Sequence, residues 1–471
     1  MIVITLIPML SLMGFVTVAV ILALLLTNRV AAVVALAGVP VLTALVAGFS
    51  PTEIGEFVAG GLGGVVGVVA MFVFAIVYFG IMRDAGMFDP IIRRIVAFAG
   101  NAPVTVCLAT TTLAMAAHLD GAGATTFLIT IPAMLPLFDR LGMSRLVLTT
   151  CVGLGAGVMN IVPWGGPTAR AAATSGVPAN DLWVPLIPAQ LVGMVAVLVI
   201  AWFLGRRETS RLAAAPAGVA VGASADGPAH SSAGTSSPEE LPAADVPLDG
   251  VGTLSPEDQA LRRPRLFWVN VALTVAVIAA LVSAAATPEL VFLIAVVVAL
   301  LINYPGLKDQ TDRIEAHAKG AMLMATTLIA AGVFLGILEG SGMIEAMAET
   351  AAGALPDGAA PVLPVLVAVL AVPLSLVFGP DPYYFGVLPV LISVGEMHGI
   401  AAADIAQASI LGEETVGFPI SPLTGSFYLL VGLAGVDIGK HIRHLIGWAW
   451  LVSLVMLAVA LITGVIPVWA A

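Results

Sequence analysis

Six ionisable side chains lie in segments that are otherwise apolar or broken by glycine and proline: His118, Asp120, Arg170, Asp381, Glu413 and Glu414. A charge at the centre of a membrane helix costs about 2.5–3.5 kcal/mol even on lenient scales, so such residues are functional by default. Carboxylates there can carry protons or contact a cation through oxygen, and an arginine presents a planar fork that matches a carboxylate. Asp120 and Asp381 read as ligand or proton sites. Glu413 and Glu414, as neighbours on a helix, point about 100° apart, so one faces the site and the other pairs elsewhere. His118 reads as a hydrogen-bonded packing residue before it reads as a proton relay. Arg170 is a carboxylate-binding residue, or else a counter-charge for one of the acids or a side chain that snorkels to the outer face.

Four irregular segments hold or adjoin these residues, and they come in two pairs. One pair is 118–126, with Thr125 and Thr126, and 378–384 around Asp381. The other is 160–168, with Asn160, Gly165, Gly166 and Thr168, and 417–426, with Ser421, Thr424 and Ser426. Proline removes a donor and glycine permits unusual dihedrals, so backbone N–H and C=O groups are left free to hold ions and carboxylates. Any one such break is as often a simple kink as a site. Four at symmetric places mark the binding region of a secondary transporter.

The elements that position these breaks follow from composition. Of 471 residues, 60% are hydrophobic and 10% charged, and the mean hydropathy is +1.08. Soluble domains carry about 25% charged residues, so the chain is a polytopic membrane protein embedded in a lipid bilayer, and a soluble enzyme is excluded. The net charge of −11 arises from acidic loops and intramembrane acids, with no basic groove for nucleic acid. Cys107 and Cys151 sit in apolar stretches and imply no disulfide framework. Ten spans are expected, near 8–27, 29–48, 64–83, 145–170 (interrupted), 182–205, 266–285, 288–305, 319–338, 404–427 (interrupted) and 445–465. The stretches 103–137 and 359–395 are each split into short arms that suit re-entrant hairpins. The N-terminus reads as a first helix, not a signal peptide.

Orientation follows from the positive-inside rule. With both termini outside, every Lys and Arg of the 18 except Arg170 falls on the inner side of a cell inner (plasma) membrane. Residues 208–264, rich in Ala, Pro, Gly, Ser and acids without apolar periodicity, read as a disordered cytoplasmic linker. It separates a first membrane repeat, 1–207, from a second, 265–471, at an offset of roughly 256 residues: Gly80-Ile81-Met82 returns as Gly336-Ile337-Leu338, Pro163 as Pro419, and Thr168 as Thr424. Five full spans per half is an odd number, so the second repeat is inverted. The expected fold is all-α, two inverted repeats of five spans plus one hairpin each, with interrupted helices.

The run from Asp120-Gly121-Ala122-Gly123 to Pro136 resembles the citrate-metal:proton symporter family (CitMHS), within the ion transporter superfamily. So do the segments Pro163-Trp164-Gly165-Gly166-Pro167-Thr168-Ala169-Arg170 and Ser421-Pro422-Leu423-Thr424. The resemblance implies uptake of citrate as its complex with a divalent cation, driven by protons, by a homodimer with an elevator-like mobile domain. In the family's first tip a second acid often stands two residues after the first, and here that place is Ala122. Composition agrees with the substrate class, because four acids facing one arginine would repel free citrate trianion. Oxygen ligands suit Mg2+ or Ca2+ as part of the transported complex; no catalytic residue or resident cofactor is expected. A sodium-coupled di- or tricarboxylate transporter and a cation/proton antiporter are the alternatives.

Overall fold

The computed structural model describes residues 2–27, 29–214, 256–353 and 360–469. Among these residues every regular element is helical and there is no strand.

Two helices of 34 residues form the centre, Pro51–Asp84 and Leu307–Gly340. At 1.5 Å per residue each is about 50 Å long, more than a bilayer core requires. The first starts on a capping box, in which Glu53 N–H donates to Ser50 Oγ while the Glu53 carboxylate accepts from Ser50 N–H. The two helices touch backbone to backbone. A Cβ placed on Gly61 would stand 2.1 Å from the Gly332 carbonyl oxygen and 2.6 Å from Gly336 Cα, the small-residue contact by which apolar helices associate when lipid removes the hydrophobic drive. Tyr78 and Phe79 of the first long helix then join Trp164 and Phe292 in a buried aromatic cluster, with ring centroids 5.2–6.2 Å apart.

Among the described residues six helical regions are long and apolar enough to cross a membrane by length and composition: Met9–Leu26, Pro51–Asp84, Ala179–Ala214, Pro264–Val282, Leu307–Gly340 and Ile438–Ile462. Two stretches expected as unbroken spans are shorter. Residues 29–48 fold as a π-turn, Val34–Gly38, leading into Val39–Val46, with Pro40 unable to donate at the junction. Pro288–Asn303 ends before Tyr304-Pro305-Gly306. Asp89–Ala99 and Met343–Ala352, one after each long helix, had no counterpart in the sequence reading.

The stretch 103–137 folds as Pro103–Ala117 and Gly123–Arg140 around a 3-10 turn, His118–Asp120, and the two arms pack on each other. In the stretch 359–395, Leu363–Leu374 packs on the Ala402–Ile410 and Ile438–Ile462 helices. A π-turn, Pro382–Val387, leads from its tip into Leu388–Met397. The interrupted spans are Arg145–Met159 with Gly166–Ser175, and Ala402–Ile410 with Gly425–Ala434. The second interruption is wider than expected. Glu413 and Glu414 were read as helical, but they lie inside it, because the helix stops at Ile410 and Glu414 takes a left-handed backbone with φ +52°.

At the expected linker, residues 208–214 continue the Ile187–Ala214 helix, and Pro256–Leu261 is helical. Residues 215–255 lie outside the described residues.

Candidate functional site

The first hairpin tip is built by local backbone demands. Asp120 Oδ1 accepts from the Ala122 N–H at 2.9 Å, a side-chain-to-backbone turn typical of aspartate. Its other oxygen lies 3.7 Å from Arg83 Nη1, at the end of the first long helix. The same Nη1 donates to Thr125 Oγ1 at 3.3 Å. From the opposite side the Trp164 indole N–H donates to the Leu119 carbonyl at 2.8 Å, so the first broken span holds the first tip.

His118 runs a chain inward. Its Nδ1 meets Thr126 Oγ1 at 2.8 Å and its Nε2 meets Asn160 Oδ1 at 3.2 Å. Asn160 Nδ2 donates to the Glu414 carbonyl at 2.6 Å. Since that bond turns the amide oxygen towards the ring, a neutral His118 carries its proton on Nε2, and the Thr126 hydroxyl, which also reaches the Ala122 carbonyl at 3.0 Å, shares its one proton between that carbonyl and Nδ1. The imidazole stacks on Phe418, which in turn stacks on Phe127, at centroid distances of 5.6 and 5.8 Å. Hairpin tip, first break and second break are thereby joined by two buried side chains.

In the first break, Thr168 Oγ1 donates to the Ile161 carbonyl at 2.8 Å and closes the turn. A Cβ at Gly165 would stand 2.1 Å from the Asn160 carbonyl oxygen, so only glycine fits. The Gly166–Ser175 helix then presents Arg170, which is buried. Its Nε donates to Asp381 Oδ1 at 2.7 Å and its Nη1 to the Gly166 carbonyl at 3.2 Å. Asp381 also lines a pocket of about 270 Å³ with Leu25, Ala31, Gly379 and Leu423.

In the second break the two glutamates part. Glu413 is fully buried; Oε2 accepts from the Ser375 hydroxyl at 2.9 Å, and Oε1 has no hydrogen-bond partner. Glu414 turns the other way, and the Thr424 hydroxyl donates to its two oxygens at 3.1 and 3.3 Å. The Tyr384 hydroxyl donates to the Glu413 carbonyl at 3.0 Å. Ser421 Oγ accepts from the Leu423 N–H at 3.4 Å, and Ser426 Oγ lies against Gly123 of the first tip.

The expected residues thus gather in three linked groups: Asp120 with Thr125; His118, Thr126, Asn160, Glu414 and Thr424; and Arg170 with Gly166 and Asp381. Among the described residues no three His, Cys, Asp or Glu side chains converge as a metal cage. Sequence reasoning missed Arg83, which it placed among the inner-face charges; two of the four acids, Asp120 and Asp381, each pair with an arginine. It also missed Ser375, although that serine stands alone among apolar residues in its arm.

Helices that cross a membrane, broken beside ion pairs, define a multi-pass transport protein. The chain belongs to the CitMHS family, described as "Citrate transporter", which matches residues 1–412. It is 41% identical over 458 residues to a "Citrate transporter" of Bacillus subtilis (strain 168), covering 97% of this chain and all of that one. It is 37% identical over 460 residues to the "Mg(2+)/citrate complex secondary transporter" of the same organism, covering 98% and all of it. The family and these relatives are transporters, not enzymes. The fold is shared with the YdaH transporter of Alcanivorax borkumensis, whose crystal structure is titled as revealing an unusual topology, at TM-score 0.57 and 16% identity over 89% of each chain.

Proposed function

We propose that the protein imports citrate, or a related tricarboxylate, as a complex with Mg2+ or Ca2+, coupled to protons. The observation that supports this most is that each hairpin tip carries an aspartate facing an arginine, Asp120 with Arg83 and Asp381 with Arg170. An arginine can exchange its aspartate for a substrate carboxylate, and the released acid can then contact the metal or take a proton. A complex of citrate with a divalent cation brings both partners at once, with citrate supplying most of the metal's oxygen ligands. The Mg(2+)/citrate relative supports the same cargo.

The sodium-coupled alternative needs free backbone carbonyls at the breaks. Of the carbonyls there, those of Leu119, Ile161, Gly166, Glu413, Glu414 and Pro419 each accept one side-chain hydrogen bond and keep a second lone pair, so the Na+ and chelator arms of the uptake assay decide between the two readings. The 34-residue helices, whose ends are offset by the same 256 residues as the sequence motifs, support inverted repeats. In this reading the hairpins and broken spans move as the elevator of a homodimer, both termini lie outside, and residues 208–264 lie in the cytoplasm.

Uptake of labelled citrate into proteoliposomes tests the proposal. Accumulation is expected with Mg2+ or Ca2+ and an inward proton gradient, and none with a chelator. Uptake that requires Na+ and ignores chelators overturns it.

A further inference from the structure

We infer that Arg83 is a second carboxylate-binding residue of the transport site, recognising a carboxylate of the substrate at the first hairpin tip. This rests on the citrate reading above, in which either arginine can exchange its aspartate, and adds that the Arg83 pair is the one an anion opens more readily.

Three observations carry it. The first is availability. A guanidinium has five N–H donors, and among the described residues only Nη1 of Arg83 is engaged by a hydrogen bond or ion pair, on Asp120 at 3.7 Å and Thr125 at 3.3 Å. Arg170, by contrast, is bound tightly through Nε at 2.7 Å and is 11% exposed where Arg83 is 38% exposed. An anion therefore displaces Asp120 from Arg83 more readily than it displaces Asp381 from Arg170.

The second is fixation. The Arg83 carbonyl accepts from Arg262 Nη1, which also donates to the Asp84 carbonyl at 3.1 Å. Arg262 Nε pairs with Asp89 at 3.0 Å, and the Arg263 N–H donates to the Ala85 carbonyl at 2.9 Å. The Asp84 side chain is held by Arg313 at 2.9 Å and His317 at 2.8 Å. The backbone beneath Arg83 is thus tied from three directions, so its guanidinium is presented at the tip on a fixed base, as a binding group must be.

The third is surroundings. The Thr125 hydroxyl, beside the guanidinium, supplies a neutral group for the same carboxylate. Asp120 Oδ1 keeps its bond to the Ala122 N–H, so the tip turn stays closed when Oδ2 is released.

The test is calorimetric titration of citrate into the purified full-length protein at saturating Mg2+. Arg83→Gln is expected to weaken binding by roughly 30-fold or more, and Arg83→Lys, which keeps the charge but loses the fork, by less. The same loss is expected when Arg83→Gln is made in an Asp120→Asn background. Unchanged affinity in Arg83→Gln overturns the inference, and so does a loss that vanishes in the Asp120→Asn background, because Arg83 is then only a counter-charge. Should Arg83→Gln fail to fold, Arg83→Lys decides, and wild-type affinity in it overturns the inference. Wild-type protein that binds no citrate at saturating Mg2+ overturns the citrate reading and this inference with it, whereas normal wild-type binding with an indifferent Arg83 overturns the inference alone.

Discussion

Arg170 Nε donates to Asp381 Oδ1 at 2.7 Å, across 211 residues of sequence, and so ties the second half of one broken span to the tip of the other hairpin. Removing the arginine strips Asp381 of its counter-charge as well as removing a fork for the anion. Arg170→Ala is expected to weaken apparent citrate affinity by about 2–5 kcal/mol, and Arg170→Lys by less. Adding Asp381→Asn to Arg170→Ala should recover thermal stability but not affinity, because it cures only the orphaned charge. Proteoliposome uptake and detergent melting curves on the three variants check this. Normal affinity in Arg170→Ala would leave the arginine as a structural counter-charge.

The four breaks were legible because proline and glycine interruptions recur at matching places in the two halves, and Asn160 does lie where the chain is interrupted, with Thr168 and Arg170 in the helix that follows. The contacts between breaks were not legible. Arg83 falls at the end of a span, where positive charge is already explained by topology, so nothing in the sequence singles out its contact with Asp120, 37 residues away. Hydropathy reports which residues face lipid, and it is silent on pairings such as Asn160 with the Glu414 carbonyl, 254 residues apart. The Glu413-Glu414 pair lies before the break read at 417–426 and so reads as helical, and a left-handed glutamate leaves no mark in composition. The Asp89–Ala99 helix was overlooked for a related reason: it is too short and too charged to resemble a span.

Glu414 is one of two non-glycine residues with positive φ among the described residues. A left-handed conformation costs an L-residue about 1–2 kcal/mol, and strain of this kind persists where surrounding contacts impose it. Here those contacts are Asn160 on its carbonyl, Ser375 at its N–H and Thr424 on its side chain. Glu414→Gly is therefore expected to melt higher than Glu414→Ala, while both lose citrate uptake through loss of the carboxylate. Equal melting temperatures would mean that the backbone here is unstrained.

Deleting residues 220–255, which have no apolar periodicity in the sequence, is expected to leave citrate uptake nearly intact. Arg262→Ala, a few residues further on, is expected to reduce it, because Arg262 holds the Arg83 and Asp84 carbonyls and pairs with Asp89. Uptake by correctly inserted protein separates the two. Loss in the deletion, or indifference in Arg262→Ala, contradicts this division.

Gly61 and Gly336 mark the point at which the two long helices meet without side chains between them. A Cβ on Gly336 would stand 2.3 Å from the Phe57 carbonyl oxygen, and one on Gly61 2.1 Å from that of Gly332. Neither carbonyl can yield without breaking its helix, so the axes must move apart. Gly61→Val is expected to lower the melting temperature and abolish uptake, since the same helix carries Arg83 to the hairpin tip and Asp84 to Arg313 and His317. Gly63 supplies the control. A Cβ there meets nothing within 4 Å, and alanine is favoured over glycine in a helix by about 1 kcal/mol, so Gly63→Ala should hold or raise the melting temperature and transport normally. If valine at 61 is tolerated as well as alanine at 63, the helices are free to separate, and the fixed base argued for Arg83 must come from the Arg262 and Asp84 contacts alone.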